Sequence, residues 1–369
     1  MMAKFTDIFE DVTKQGTKIP TNLYLETGRY PIIDQGQSEI AGYTDQVEGL
    51  FTDIPAIIFG DHTRIIKYVD TPCFLGADGV KLLKAKDPTA NYRYLYYALC
   101  NADIPNTGYN RHFKWLKEIE IPEYSMEEQN SIVFQLEKID ALISLRKQQL
   151  SKLDELVKSR FNELFGDAEH NEKGLPTAPM TELCEIIDGD RGKNYPKQEE
   201  FSEEGFCLFL NAKNVTSNGF SFENCMYITE EKDKILRNGK LSRGDVVLTT
   251  RGTLGNLAFY DETVPYEHMR INSGMVILRM KRDRIIERFF IEQFKMQLAS
   301  IKEKIASGSA QPQLPISTMN KIVMLVPDVE LQNQFASFVE QTDKSKLAIQ
   351  KSLEKLETLK KSLMQKYFG

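Results

Sequence analysis

Apolar side chains recur at intervals of three and four residues in two long stretches of the chain, 125–166 and 328–369. The stretches align without a gap when the first is shifted by 203 positions, and many aligned positions carry the same residue type. No proline or glycine interrupts the first stretch before Gly166. This spacing is typical of a long amphipathic helix with a heptad-like apolar stripe. The pattern therefore predicts a matched pair of long helices.

Each predicted helix has about 40 residues and would be roughly 60 Å long, and neither can bury its stripe alone. A single copy would favour a core helix of a globular domain. Two matched copies, each after a globular segment, favour helices that pack on each other and act as spacers. Ser125 and Glu128 have the spacing of a capping box, and Asp328 is a candidate N-cap. The residues predicted to pack between the helices are Ile132, Leu136, Ile139, Ile143, Leu150 and Leu153 in the first, and Phe335, Val339, Ile349, Leu353, Leu356 and Leu363 in the second.

The segments that precede the two helices share a plan of short strands, a helix and polar turns. An apolar strand runs into a polar turn at 55–64 and again at 244–253, as expected for a buried strand that ends at the surface. Helices are predicted at 91–101 and 289–304. The predicted fold class is α+β, with two tandem mixed α/β domains and two long helices in a pseudo-twofold internal repeat. The predicted boundaries are 1–124 for the first domain, 125–166 for the central helix, 167–327 for the second domain and 328–369 for the distal helix.

Composition is that of an ordinary folded protein, with 41% apolar and 27% charged residues. The formal net charge is −6, and no segment has the strongly basic balance of a typical nucleic-acid binder. A case for DNA binding must therefore depend on local clusters. The five cysteines are odd in number and show no CxxC spacing, so we expect reduced thiols and neither a disulfide framework nor a zinc site.

The chain has no apolar run long enough to span a bilayer, and its first residues lack the apolar core of a signal peptide. We therefore expect a cytoplasmic protein that does not bind a membrane.

Catalytic signatures are missing from the sequence. It contains no GxxxxGK[ST] phosphate loop, no HExxH helix and no GxSxG elbow. The four histidines are scattered and never have metal-ligand spacing. We therefore expect neither a catalytic residue nor a metal or cofactor in this chain.

The polar turns are the more informative positions. Turns at 61–64 and 250–253 occupy matching places after an apolar strand, and each contains arginine with small hydrogen-bonding partners. Arginine can bind guanine bidentately in the major groove, and asparagine or glutamine can bind adenine. The candidate base-reading residues are Gln35, Gln37, Asn256, Gln311 and Gln313. The candidate phosphate contacts are Arg111, Lys114, Arg191, Lys193 and Lys213.

Further candidates for DNA contact in these turns are His62, Thr63, Arg64, Tyr109, His112, Arg251 and Thr253. The alternative is that these are solvated loop residues, with arginine holding the turn through carbonyl or carboxylate oxygens. For any single residue the two interpretations weigh about equally. Recurrence of the pattern in both segments favours a function for the group.

The ordered set of motifs resembles the DNA-specificity subunit of type I restriction-modification systems over essentially the whole chain. In the helices the resemblance includes Gln129-Asn130 and 353–362, running on to Phe368-Gly369. In the globular segments it is carried by YPIIDQG at 30–36, IFGDHTR at 58–64, GYNRHFK at 108–114, GDVVLTTRG at 244–252 and QPQL at 311–314.

This resemblance implies two target-recognition domains, each reading one half of a bipartite sequence in double-stranded DNA, held apart by two antiparallel helices. It also implies a non-catalytic subunit. Modification subunits, expected as two copies, would methylate adenine with S-adenosylmethionine. A restriction subunit would use ATP and Mg²⁺ for translocation and cleavage. The rival interpretation is a non-DNA adaptor that carries two binding modules on a coiled-coil scaffold.

Overall fold

The computed structural model describes residues 1–76, 79–281, 283–306 and 313–369, with only the backbone described at 304–306. It forms two compact units. Unit 1 comprises Met1–Gln148 and Ile349–Gly369, and unit 2 comprises Gln149–Ala348. The boundary between the units falls inside both long helices, so each unit contains one globular segment and a part of each helix.

In the described part of unit 1, nine strands and three short α-helices precede the first long helix. The strands are β1 (Met2–Lys4), β2 (Phe9–Asp11), β3 (Tyr30–Ile33), β4 (Gly42–Thr44), β5 (Ala56–Gly60), β6 (Ile66–Val69), β7 (Phe74–Leu75), β8 (Val80–Ala85) and β9 (Glu120–Pro122). The helices are α1 (Phe5–Ile8), α2 (Tyr92–Cys100), α3 (Phe113–Leu116) and the long α4 (Met126–Phe165). Four strands form an antiparallel sheet in the order β2-β8-β5-β6, three form a mixed sheet in the order β4-β3-β7, and β1 pairs with β9.

Unit 2 repeats this plan. Its strands are β10 (Thr177–Pro179), β11 (Cys184–Asp188), β12 (Cys207–Leu210), β13 (Val215–Thr216), β14 (Gly219–Phe220), β15 (Tyr227–Ile228), β16 (Asp245–Thr249), β17 (Leu257–Phe259), β18 (Met269–Ile271), β19 (Met275–Met280) and β20 (Val323–Leu325). Its helices are α5 (Met180–Leu183), α6 (Glu230–Ile235), α7 (Glu287–Ala306), α8 (Ile316–Met319) and the long α9 (Val329–Phe368).

The strand orders of the two units correspond. Unit 2 has an antiparallel sheet in the order β11-β19-β16-β17, a mixed sheet in the order β15-β12-β18, and the pair β10-β20. In each mixed sheet the central strand is antiparallel to one neighbour and parallel to the other. The additional hairpin β13-β14 distinguishes unit 2. The predicted α+β class and internal repeat are confirmed, whereas the strands near the N-terminus, β1 and β2, were not predicted from the sequence.

The long helices begin as the sequence indicates and bury their ends. The backbone N–H of Ser125 donates to Glu128 Oε2 over 2.9 Å, and the N–H of Glu128 donates to Ser125 Oγ over 3.3 Å, which completes the capping box. Leu136 lies in the core of unit 1, and Phe335 lies in the core of unit 2 with Phe161 and other apolar residues. Burial of these ends fixes each globular segment to its helices.

Within each unit the two helix segments run antiparallel. In unit 1, Lys360 Nζ lies 2.6 Å from Asp140 Oδ1, and Lys147 Nζ lies 3.6 Å from Glu357 Oε1. In unit 2, Lys346 Nζ lies 2.6 Å from Asp154 Oδ1. The other residues predicted to pack between the helices divide into two groups. Ile132, Ile139 and Val339 are buried, whereas Ile143, Leu150, Leu153, Ile349, Leu353, Leu356 and Leu363 are half-buried.

None of the helices within the described ranges is both long enough and apolar enough to cross a membrane. All five cysteines are free thiols.

Candidate nucleic-acid interface

Two turns meet in unit 1 beyond the end of β5. The backbone N–H of His112 donates to the Asp61 carbonyl oxygen over 2.7 Å, and the N–H of Phe113 donates to Asp61 Oδ1 over 2.7 Å. His112 Nδ1 lies 2.9 Å from the same carbonyl oxygen, which can only accept a hydrogen bond, so Nδ1 carries the proton here. Asp61 therefore ties the turn at 61–64 to the turn that precedes α3.

The loop after β3 joins the same place. Gln35 Oε1 accepts a hydrogen bond from the backbone N–H of His62 over 3.2 Å, and the Gln35 carbonyl oxygen accepts from Thr63 Oγ1 over 2.7 Å. Gly60 leaves the room for this contact, because a Cβ at that position would lie 2.2 Å from Thr63 Oγ1. Three loops of unit 1 that the sequence singled out therefore form one surface.

A buried lysine holds the loop after β3 in place. Lys67 is only 3% exposed, and its Nζ lies 3.5 Å from Asp34 Oδ1 and donates to the Ser38 carbonyl oxygen. Sequence reasoning missed this residue. The alternation of inward and outward side chains along β6 could have predicted the burial of Lys67, because Lys67 shares the inward face of that strand with Val69.

An exposed aromatic side chain stands over this surface. The ring of Tyr109 stacks on the ring of His62, with centroids 4.6 Å apart and planes 6° from parallel. His62 Nδ1 lies 3.1 Å from the Asn110 carbonyl oxygen, which holds the imidazole in place. Tyr109 is 88% exposed, so the stack presents a pre-positioned π-face to solvent.

Two of the predicted contacts in unit 1 have side chains that bind other parts of the unit, His112 fully buried and Arg64 half-buried. His112 is completely buried and holds Asp61. Arg64 adopts a left-handed backbone conformation (φ 64°), and its Nη1 donates to the Ile104 carbonyl oxygen over 3.0 Å. Both side chains thus position the turns. The remaining candidates of unit 1, Gln37, Arg111 and Lys114, are exposed.

Unit 2 builds a matching turn after β16. The backbone N–H of Thr250 donates to the Gly274 carbonyl oxygen over 2.9 Å, as the N–H of Asp61 donates to Gly79 over 2.7 Å in unit 1. The N–H of Leu314 donates to the Thr250 carbonyl oxygen over 3.1 Å. The loop that precedes α8 is therefore fixed against the strand-end turn, as in unit 1.

A small cleft of about 180 Å³ lies beside this turn. Its wall includes the predicted residues Arg191, Arg251 and Gln313, and the backbones of Arg251 and Gln313 form an isolated antiparallel bridge. Arg191 Nη2 donates to Asp188 Oδ1 and to the Ser273 carbonyl oxygen, each over 3.1 Å. A guanidinium and an amide side chain thus lie at one edge, where they match hydrogen-bond acceptors of a base or a phosphate.

A wider cleft of about 640 Å³ lies on the other side of the same turn. Lys213, Thr253 and Asn256 line it, as does Lys302, which sequence reasoning missed because it belongs to the predicted helical stretch. Asn256 Nδ2 donates to the Val215 carbonyl oxygen over 2.9 Å, so this amide already has one partner in the protein.

The side chain of Lys302 passes close to the backbone of Gly255 where it lines the wider cleft. Gly255 has a left-handed backbone (φ 81°), and a Cβ there would lie 2.2 Å from Lys302 Cε. The last two candidates of unit 2 differ in position. Lys193 is exposed, and Gln311 lies outside the described residues.

A buried carboxylate supports the loop that carries Arg191. Asp190 Oδ1 accepts from the backbone N–H of Gly192 over 2.6 Å, and Oδ2 accepts from the N–H of Arg237 over 2.7 Å. Burial opposes ionisation, but these backbone hydrogen bonds outweigh it and hold the pKa of Asp190 below its usual value. The carboxylate therefore stays charged and keeps the loop in place at neutral pH.

Among the described residues, no group of three or more His, Cys, Asp or Glu side chains is arranged to hold a metal ion. The chemistry that these surfaces offer is recognition by hydrogen bonds, charge and ring stacking.

Comparison with known proteins decides among these possibilities. Two segments, 1–155 and 175–361, match the type I restriction modification DNA specificity domain. The chain belongs to this family. The resemblance predicted from the sequence is confirmed, and the non-DNA adaptor is not favoured. DNA sequence specificity is therefore the function of this chain, and the specificity subunits of this family are non-catalytic.

Relatives and solved structures agree with this assignment. The chain is 26% identical over 326 residues to the type I restriction enzyme MjaVIII specificity subunit of Methanocaldococcus jannaschii, covering 79% of this chain and 74% of that protein. It is 24% identical over 265 residues to the MjaIX specificity subunit of the same organism, covering 68% and 60%. The crystal structure of a type I restriction-modification S subunit from M. genitalium superposes with a TM-score of 0.62 at 20% identity, covering 100% of this chain and 96% of that one. The last similarity shows a shared fold.

Proposed function

We propose that this specificity subunit reads a bipartite sequence in double-stranded DNA, with one half-site contacted by each unit. One observation carries the proposal. Two units with corresponding strand orders each fix a polar strand-end turn against the loop before a short helix, through backbone hydrogen bonds to Asp61 and to Thr250. A rigid support under exposed polar side chains is what sequence reading requires, because base contacts depend on placement.

The two surfaces offer different chemistry, which supports different half-sites. Unit 1 presents the stacked rings of His62 and Tyr109 beside Gln35. Unit 2 presents Arg251 and Gln313 beside one cleft and Lys213 beside another. An arginine that forms two hydrogen bonds with guanine discriminates by about 1–3 kcal/mol. We therefore propose Arg251 as a base-reading residue and Lys213 as a phosphate contact.

The long helices are proposed to set the spacer between the half-sites and to bind the modification subunits. Two such subunits are expected, because the helix segments and globular segments occur in two corresponding sets. In this proposal S-adenosylmethionine belongs to the modification subunits, and ATP and Mg²⁺ belong to restriction subunits. The complex acts in the cytoplasm, where it meets DNA.

The test is to co-express the chain with its modification subunits in a host that lacks other adenine methyltransferases, and to map methyladenine by single-molecule sequencing. We expect one motif with two specified halves and an unspecified spacer of constant length. The same cells without this chain serve as the control and should show no such motif. A continuous motif, or methylation that does not depend on this chain, would contradict the proposal.

A further inference from the structure

Unit 2 contains an aromatic cleft at the opposite end of its mixed sheet from the proposed DNA surface. The cleft has a volume of about 340 Å³. It lies between the segment before β12 and the segment before β18, and these two strands are parallel. Lys213, a proposed phosphate contact, lies in the loop that follows β12. The loop that follows β18 supports Arg191 and Thr250 through the carbonyl oxygens of Ser273 and Gly274. Since β12 has four residues at about 3.3 Å each, the two sites are separated by more than about 10 Å.

Four rings and two carboxylates characterise the cleft. Phe206 stacks on His268 with centroids 4.2 Å apart and planes at 25°, and the rings of Tyr227 and Tyr266 lie 6.3 Å apart. Phe206 remains 39% exposed although it is large and apolar. The acidic side chains that line the same cleft are Glu204 and Glu267.

Hydrogen bonds fix the two segments that form the walls of the cleft. Tyr260 Oη donates to the Tyr266 carbonyl oxygen over 2.6 Å and also lies 3.0 Å from the Glu267 carbonyl oxygen, which fixes the segment before β18. The backbone N–H of Leu208 donates to the His268 carbonyl oxygen over 2.9 Å. A Cβ at Gly205 would lie 2.8 Å from Tyr227 Cβ, so glycine is what lets the two walls approach without filling the cleft.

Arg243 contacts the wall of the cleft through backbone oxygens. Arg243 donates to the carbonyl oxygens of Asp261 and Tyr266, and its guanidinium lies 4.2 Å from the Tyr260 ring centroid. Its charge is thus directed to backbone oxygens and to Glu262, whose Oε2 lies 4.0 Å from Arg243 Nε. The two glutamates that line the cleft, Glu204 and Glu267, are exposed.

We infer that the aromatic cleft receives an arginine or lysine side chain of the modification subunit. Aromatic faces attract a guanidinium or ammonium group, and a carboxylate adds a charge-assisted hydrogen bond. The volume is at the lower end of small-ligand sites, which suits one long side chain. Two carboxylates disfavour the phosphates of DNA, and the protein partner that the proposed function gives to this chain is the modification subunit. The inference extends the proposed association with modification subunits by assigning it a site away from the DNA surface.

The test measures binding of the purified full chain to its purified modification subunit. We expect Glu267→Gln and Phe206→Ala each to weaken binding about fivefold, which corresponds to about 1 kcal/mol for a cation over an aromatic ring. Glu262→Gln is the matched control, because it removes the same charge from a neighbouring exposed position, and it should leave the affinity unchanged. Circular dichroism of each variant verifies that the fold is retained.

A second measurement identifies the occupant. Benzoylphenylalanine at position 206 should cross-link on illumination to a modification-subunit peptide that contains arginine or lysine, whereas the same group at the exposed position 235 should not. Replacing that basic residue by glutamine should abolish the cross-link. Unchanged affinity of the Glu267→Gln and Phe206→Ala variants, an equal loss in Glu262→Gln, or cross-linking to DNA would overturn the inference. Such results leave the methylated motif intact, whereas a chain that forms no complex and directs no methylation contradicts the proposed function as well.

Discussion

The carboxylate of Asp233 and the guanidinium of Arg270 form an ion pair inside unit 2, with side chains only 2% and 5% exposed. Arg270 Nη1 and Nη2 also donate to the carbonyl oxygens of Asn238 and Asp233 over 2.8 and 2.7 Å, and Lys240 Nζ contacts the other carboxylate oxygen. The pair thus joins α6 to β18, which runs from a wall of the aromatic cleft to the loop that supports Arg191 and Thr250. Breaking a buried pair by removing one partner typically costs about 3–5 kcal/mol.

Asp233→Asn should therefore lower the free energy of unfolding of unit 2 by about 3 kcal/mol, because Arg270 would be left buried without a counter-charge. Calorimetry should record a loss of roughly 6–12 °C in its transition midpoint. The control is Glu230→Gln on the same helix, which breaks an exposed pair with Lys234 and should change stability by less than about 1 kcal/mol. An equal effect of both substitutions would contradict the assignment.

The stabilisation by the Asp233 carboxylate should depend on pH. Burial raises the pKa of Asp233, but the hydrogen bonds from Lys240 and Arg270 outweigh this and hold it below its usual value. A lowered folded-state pKa gives stability that is present above the unfolded-state pKa of about 3.9 and is lost as the pH falls toward the folded-state pKa. The difference in stability between the wild-type chain and Asp233→Asn should thus be constant near neutrality and shrink below about pH 4. A difference that grows in acid would contradict this sign.

Tyr109 and His112 are close in sequence, but their replacement by alanine should affect different properties, DNA binding for Tyr109 and stability for His112. Tyr109→Ala removes an 88% exposed ring and should weaken DNA binding by the assembled complex with little change in stability. His112→Ala removes a buried side chain that holds Asp61 and should destabilise unit 1 by about 1–3 kcal/mol. Thermal unfolding and DNA titration of the two variants separate these effects. If Tyr109→Ala bound DNA as tightly as the unchanged chain, the stacked pair would not belong to the interface.

Arg251→Ala should alter the half-site read by unit 2 and leave the other half-site unchanged. Loss of one bidentate base contact should relax discrimination at a single position by about 1–3 kcal/mol. Lys213→Ala should instead weaken binding to all sequences and lower the salt dependence by about one unit. Methylation mapping and salt-dependent titration distinguish the outcomes. A uniform loss in Arg251→Ala would make it a phosphate contact.

Lengthening the helices should change the spacer. Seven residues inserted between Ile143 and Leu150, with seven at the matching place between Lys346 and Leu353, add two helical turns and keep the apolar register. The added length is about 10 Å, or about three base pairs at 3.4 Å each. Methylation mapping should show a longer spacer between unchanged half-sites. Altered half-sites with a constant spacer would refute the role proposed for the helices.

The sequence predicted the elements whose periodicity is strong. The helix predicted over 91–101 is observed at Tyr92–Cys100, where the Asn91 side chain accepts from the Tyr94 N–H over 3.1 Å. The long helices and the capping box at Ser125 were predicted for the same reason: spacing and caps are local properties. Short strands such as β1 and β11 escaped prediction because three to five residues carry little periodicity.

The site residues were harder to predict because a polar turn does not reveal which side chains face inward. His112 and Gln37 are both polar residues in predicted polar turns. In the structure His112 is buried and hydrogen-bonded to Asp61, whereas Gln37 is exposed. Such positions depend on contacts between loops distant in the chain. Lys302 lines its cleft because the left-handed turn at Gly255 leaves room for its side chain. The helical pattern around Lys302 does not indicate this contact, because Gly255 is distant in the chain.

The turn between the two clefts of unit 2 is closed on itself. Thr249 Oγ1 donates to the Thr253 carbonyl oxygen and accepts from the Asn256 N–H over 2.9 Å, and Gly252 and Gly255 both have left-handed backbones. A side chain in one cleft therefore shares its backbone support with a side chain in the other, so a change in the backbone of this turn would move residues of both clefts. New target sequences should thus arise in evolution by exchange of the whole turn with its neighbouring loops, as a cassette inherited together, more readily than by stepwise replacement of individual residues.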